Sequence, residues 1–241
     1  MKRLFPPMYD RPENWMPAAA LAYWVLAFPV IPTFMVLISD GLWGGLEYNS
    51  WLDIVYHCIN AGVMVAMFRS YALDSFLNVQ LDTKKFFKTV GVALLVMLAL
   101  AWTLYNSPVY KVFDAYPVNE MFLSITAGLI VNELPVFGTL CHVLITPIAV
   151  VGLFYVPVFA PMCCRKAWLG YLALTVMLVI PTALDILWRG NAELAVPVLV
   201  LQMPMHWIAC WTYQKADTVW APLATLAAFN LATSVISIYL L

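Results

Sequence analysis

The stretch MFLSITAGLIVNELPVFGTLCHVLITPIAVVGLFYVPVFA, residues 121–160, decides how the chain is read. Its apolar character runs for about twice the ~20 residues that a helix needs to cross a bilayer core. Only Asn132, Glu133, Pro135 and Gly138 interrupt it. Proline removes a backbone donor and glycine loosens a helix, so the break separates either two helices or a helix and a re-entrant piece.

Outward from this segment the pattern repeats. Upstream lie apolar runs at 18–39, 51–68 and 90–105, and downstream at 168–187, 194–213 and 219–241. Together these predict an all-α, polytopic membrane bundle of about eight transmembrane helices, with seven as the alternative, forming one integral membrane domain over residues 1–241. Composition agrees: of 241 residues 64% are hydrophobic and 10% charged, against about half and a quarter in soluble domains. The net charge of -1 offers no basic face for nucleic acid. Five cysteines contain no CxxC pair, which excludes a redox dithiol or zinc knuckle of familiar spacing.

Pro29 and Pro32 fall inside the first run, which is of spanning length and is expected to be retained, not cleaved as a signal peptide. The carbonyls they free must be taken up by neighbouring helices or water, which requires a packed bundle. After Arg69, the segment SYALDSFLNVQLDTKKFFKT alternates apolar pairs with charge and predicts an interfacial amphipathic helix.

Lysine and arginine in short loops set orientation. Lys2, Arg3 and Arg11 precede the first helix, Arg69, Lys84, Lys85 and Lys88 follow the second, and none lies between the two. Both basic segments are therefore expected on the cytoplasmic side, with the N-terminus. Arg165 and Lys166 break this rule if residues 121–160 cross twice and obey it if they cross once.

Ionisable groups within a bilayer are costly, so each marks a possible site. Asp53 and His57 share a helix face with Asn60, forming either a polar wall or a helix-end carboxylate beside a bonded core histidine. His142 and His206 are each readable as interhelical hydrogen-bond partners or as acid/base groups. Glu133 sits at the proline break, where it can reach water, and Asp185 either pairs with Arg189 or lines a cavity. The histidines with Asp185 could supply zinc ligands, but no HExxH or other paired spacing supports a metal, and no cofactor is implied. Cys163 and Cys164 beside Arg165 and Lys166 read as a palmitoylation site or as plain interfacial cysteines. Trp15, Trp24, Trp43, Trp51, Trp102, Trp168, Trp188 and Trp220 fall mostly at span ends, as interface anchors do.

The segment YQKADTVWAPLATLAAFNLATS, residues 213–234, resembles the last motif region of the CPBP family, the Abi or CAAX-protease-like intramembrane endopeptidases. There a polar turn leads to an aromatic, Ala-Pro and a helix bearing His-x-x-x-Asn. Trp220, Ala221, Pro222 and Asn230 match, while Leu226 occupies the histidine position. TPIAVVGLFYVP, residues 146–157, resembles the stretch with Pro-Ile, a Glu-Glu pair and Phe-Arg. Pro147, Ile148 and Phe154 match, Val150 and Val151 replace the glutamates, and Tyr155 replaces the arginine. PTALD at 181–185 would be the Phe-x-x-x-His motif, with Pro181 and Asp185 in those places. A competing alignment puts Glu133 and His206 on the glutamate and first histidine positions.

The resemblance covers residues 119–236 and implies a CPBP-like core from which the catalytic letters are gone. Hydrolysis needs a base for water and donors for the oxyanion, which valine and leucine cannot be. The expectation is a pseudoprotease that binds or assembles with another membrane protein or a hydrophobic or prenylated peptide, in a prokaryotic plasma membrane. The second reading is an active endopeptidase with a site built from Glu133, His142, His206 or Asp185. A transporter ranks third, since no repeat relates the halves.

Overall fold

The computed structural model describes residues 16–31, 34, 37, 50–105, 135–181, 183 and 192–239. Among them are seven helices and no strand: α1 (residues 16–30), α2 (Ser50–Leu81), α3 (Thr83–Tyr105), α4 (residues 135–165), α5 (residues 167–179), α6 (Ala192–Ala216) and α7 (Trp220–Tyr239). Two of them, α3 and α4, are long and apolar enough to cross a membrane.

The decisive apolar stretch resolves in its second half into one helix. From 135 to 165 α4 is unbroken, although it carries Pro147 and Pro157 inside it. It accommodates them by widening to i→i+5 bonding at 141–145 and 151–159, as helices do where the regular ladder is interrupted. Every residue from Val151 to Phe159 is buried, so this turn-rich middle is enclosed on all sides and forms the axis of the bundle. Gly152 is required there, because an added Cβ would lie 2.5 Å from Met64 Cβ of α2.

Cross-helix contacts fix the direction of each element. Met64 meets Gly152, Tyr155 meets His206, and Cys163 meets Gln214, so α2, α4 and α6 run parallel. Tyr23 with Asn60 and Tyr56 with Ala27 make α1 antiparallel to α2, and Tyr171 with Gln214 and Trp207 with Thr175 make α5 antiparallel to α6. Helices α3 and α7 start beside the ends of α2 and α6, where Val79, Phe86, Ala216 and Ala221 pack together. The seven helices therefore alternate in direction along the chain.

One end of the bundle holds six of the seven lysines and arginines among the described residues, Lys84, Lys85 and Lys88 opening α3, Arg165 and Lys166 at the α4–α5 turn and Lys215 closing α6, while Arg69 lies about three turns short of the end of α2. Lys166 alone is extended (φ −151°, ψ 134°) and turns the chain sharply from α4 into α5. The outer faces between the ends are apolar. On α3, Phe87, Leu95 and Trp102 point outward while Phe86, Ala93, Met97 and Ala101 are buried, a division set by the 3.6-residue period.

Two sequence expectations change. The segment after Arg69 is not a separate interfacial helix: it continues α2 to Leu81 and then opens α3. Its buried face, Tyr71, Ser75 and Val79 at four-residue spacing, is taken by the α6–α7 turn and not by a membrane surface. Trp220 is an internal clasp instead of an interface anchor, since its indole donates to the Ala72 carbonyl at 2.8 Å and meets Phe76 edge-on. Residues 106–134, where an additional crossing would lie, are outside the described residues.

Candidate functional site

Polar side chains inside the bundle gather in three places. The first is a seam along α6. The Tyr155 phenol and His206 Nδ1 are hydrogen-bonded at 2.7 Å, with the rings edge to face. When the phenol donates, His206 is held with its proton on Nε2. About two turns on, Tyr213 bonds Tyr71 of α2 through their hydroxyls, and its ring faces Phe159. Gln214 donates to Cys163 Sγ of α4 and accepts from the Tyr171 hydroxyl of α5 at 2.9 Å. Tyr155 and Tyr213 are fully buried. The phenols here have partners, as polar groups must in an apolar interior, and they leave little capacity for a substrate.

The second place is the α6–α7 turn, seated in the crook between α2 and α3. Asp217 adopts φ 55°, its N–H bonding back to the Tyr213 carbonyl at 3.0 Å, which closes α6. Asn78 donates to the Asp217 carbonyl at 2.7 Å, Ser75 and Thr218 share a 2.9 Å hydroxyl bond, and the Val219 N–H donates to Ser75 Oγ. The Asp217 carboxyl is raised above its ordinary 3.8 by burial, an effect the Lys85 ammonium opposes.

The third place is the junction of α2, α4 and α7. The Thr146 N–H bonds back to Cys141, and the next residue, Pro147, has no N–H, so the His142 carbonyl loses its helical partner. Asn230 of α7 supplies the replacement, its Nδ2 donating at 2.8 Å. The His142 side chain is 5% exposed, and neither ring nitrogen has a hydrogen-bond partner. Ser234, one turn beyond Asn230, is likewise buried with an unpartnered Oγ.

The sequence candidates thus divide. Tyr155 joins His206, and Asn230 joins the backbone of His142. His142 and His206 are not brought together: Tyr155 lies thirteen residues along α4 from His142, a rise of about 20 Å. Val151 and Leu226 are buried in one apolar core with Phe154 and Phe229, and Val150 packs against it half-buried. Asn60 accepts from Tyr23, and the Asp53 side chain, Glu133 and Asp185 are outside the described residues. Cys163 is buried, Cys164 is exposed, and none of the five cysteines forms a disulfide. No group of three or more His, Cys, Asp or Glu that could hold a metal exists among the described residues. Sequence reading missed Tyr71, Tyr213, Gln214 and Ser234, whose letters are unremarkable until the helices are packed.

No protein-family model, no curated protein and no solved structure matches the chain. The fold and its interior define the class by themselves: an all-helical bundle with an apolar exterior, two helices of membrane-crossing length and apolarity, and an interior polar seam.

Proposed function

We propose that the chain is an integral membrane protein of the CPBP type that has lost catalysis and serves as a binding or assembly partner for another membrane protein or a hydrophobic or prenylated peptide. The observation that carries this reading is the apolar packing at the positions where the resemblance puts the family's acids and histidine: Val150, Val151 and Leu226 belong to one core, and none of these three side chains can move a proton. The Tyr155–His206 bond supports it further, since a fully enclosed phenol holds the imidazole.

In this reading the bundle crosses the membrane seven times. These are the crossings of the described helices alone, with the end of α3 and the start of α4 at the same end of the bundle. With six of the seven described basic residues at one end, that end faces the cytoplasm together with the start of α1, in a prokaryotic plasma membrane.

The test is a cleavage assay with the purified protein in nanodiscs, offered a prenylated C-terminal peptide and a transmembrane peptide. The expected result is no cleavage, with retention of a peptide or a co-purifying membrane protein. Cleavage that is lost on changing Asp185, Glu133 or His206 would overturn it in favour of an active endopeptidase with an altered site.

A further inference from the structure

The α2–α4–α7 junction carries hydrogen-bonding capacity that the protein itself does not use. A neutral imidazole offers one donor and one acceptor, and both ring nitrogens of His142 are buried without partners. Ser234 Oγ offers the same pair and is also unpartnered. These two groups belong together. Side chains on a helix lean toward its N-terminus, so the His142 ring tilts away from its own carbonyl, toward the start of α4. Helix α7 is antiparallel to α4, and Asn230 is level with that carbonyl. One turn further along α7, on the same face, Ser234 reaches the level of the ring.

Two orphaned polar groups facing one junction require a guest, because leaving each dry forfeits a hydrogen bond with nothing in return. We infer that His142 and Ser234, with Asn230 at the margin, form an internal site for a small neutral guest that both donates and accepts hydrogen bonds, occupied in the resting bundle by water. Among the described residues no carboxylate accompanies this junction: Asp74, Asp82 and Asp217 belong to the basic end, near the α2–α3 and α6–α7 turns, so the described groups suit a neutral guest. A buried water with about three bonds to otherwise unsatisfied groups matches what this junction offers. The site is separate from the Tyr155–His206 seam and does not depend on whether the bundle is catalytic.

Hydroxyl-radical footprinting of the full chain in nanodiscs tests the site, because a bound water inside the bundle generates radical beside the residues it touches. Labelling is expected at His142 despite its burial, and it is expected to fall several-fold in the His142-containing peptide of a Ser234→Ala variant. Absence of label at His142 in the unaltered protein overturns the inference, and so does a stoichiometric metal in the purified protein by elemental mass spectrometry. Melting temperature gives a second, independent readout. His142→Phe substitutes an apolar ring of similar size. A dry site predicts a higher melting temperature for it, which would overturn the inference, whereas a hydrated one predicts a lower value, with Ser234→Ala adding little to it.

Discussion

Asn230 shows how a single side chain is explained by a proline on another helix. Pro147 and the widened turn before it strip the His142 carbonyl of its partner, and the Asn230 amide fills the vacancy from α7. Replacing it with an apolar residue of similar size leaves a buried acceptor unmet. Asn230→Leu is therefore expected to cost about 1–3 kcal/mol, read as a loss in melting temperature or in resistance to denaturant. Asp217 is determined by backbone and environment at once. Its positive φ disfavours a β-branched residue, so Asp217→Val should cost about 1–2 kcal/mol in the same measurement, whereas asparagine tolerates that conformation. Its charge behaves in the opposite sense to most structural carboxylates. Burial raises the folded value above the ordinary 3.8, so the folded chain holds the proton to higher pH than the unfolded chain. Stability from this group is complete below the ordinary value and is lost as pH rises through the folded one. Asp217→Asn should accordingly melt higher than the unaltered protein at about pH 7, with the gap closing toward about pH 4.

At the scale of elements, the prolines act by redistributing backbone acceptors. In α1 the Ile31 N–H bonds Leu26, and the freed Ala27 carbonyl accepts the Tyr56 hydroxyl at 3.0 Å. In α4 the same event is answered by Asn230. Prolines are tolerated inside apolar helices because a neighbour supplies the donor, which ties the helix pairs α1–α2 and α4–α7 together. Close approach is the other device. The α2–α4 crossing depends on Gly152, where even a methyl group would overlap Met64 Cβ at 2.5 Å. Gly152→Ala is expected to destabilise by about 1–3 kcal/mol, as overpacking does. Met64→Ala should not rescue it, since the offending Cβ remains, and the melting temperature of the double variant checks this.

For the whole molecule, alternating helix directions and one basic end predict a topology. A reporter fused after Leu241 is expected outside the cytoplasm and one fused before Met1 inside it. Cysteines placed at Lys84 and Lys166 should react with an impermeant maleimide from one and the same side. Labelling of those two positions from opposite sides would contradict the directions assigned to α3 and α4. Much of this was legible in the sequence. Runs of spanning length need no partner to be recognised, because a helix satisfies its own backbone, and basic residues at their ends are local features. The conflict over Arg165 and Lys166 was legible too, and the structure places both at the same end as Lys84 and Lys215, while residues 121–134 lie outside the described residues.

What the sequence by itself determined is the class of the chain: helical runs of spanning length, an apolar composition, prolines at 29 and 32 inside the first run and at 135 near the middle of the chain, and few groups able to do proton chemistry. Only the tertiary structure decided which polar groups meet. Tyr155 with His206, Tyr71 with Tyr213 and Asn230 with the His142 carbonyl are separated by 51, 142 and 88 positions. The physical reason is that hydropathy is a property of each segment, whereas hydrogen-bond pairing depends on which helix faces touch. In a bundle whose inner and outer faces are nearly equally apolar, those faces carry almost no signal until the helices pack.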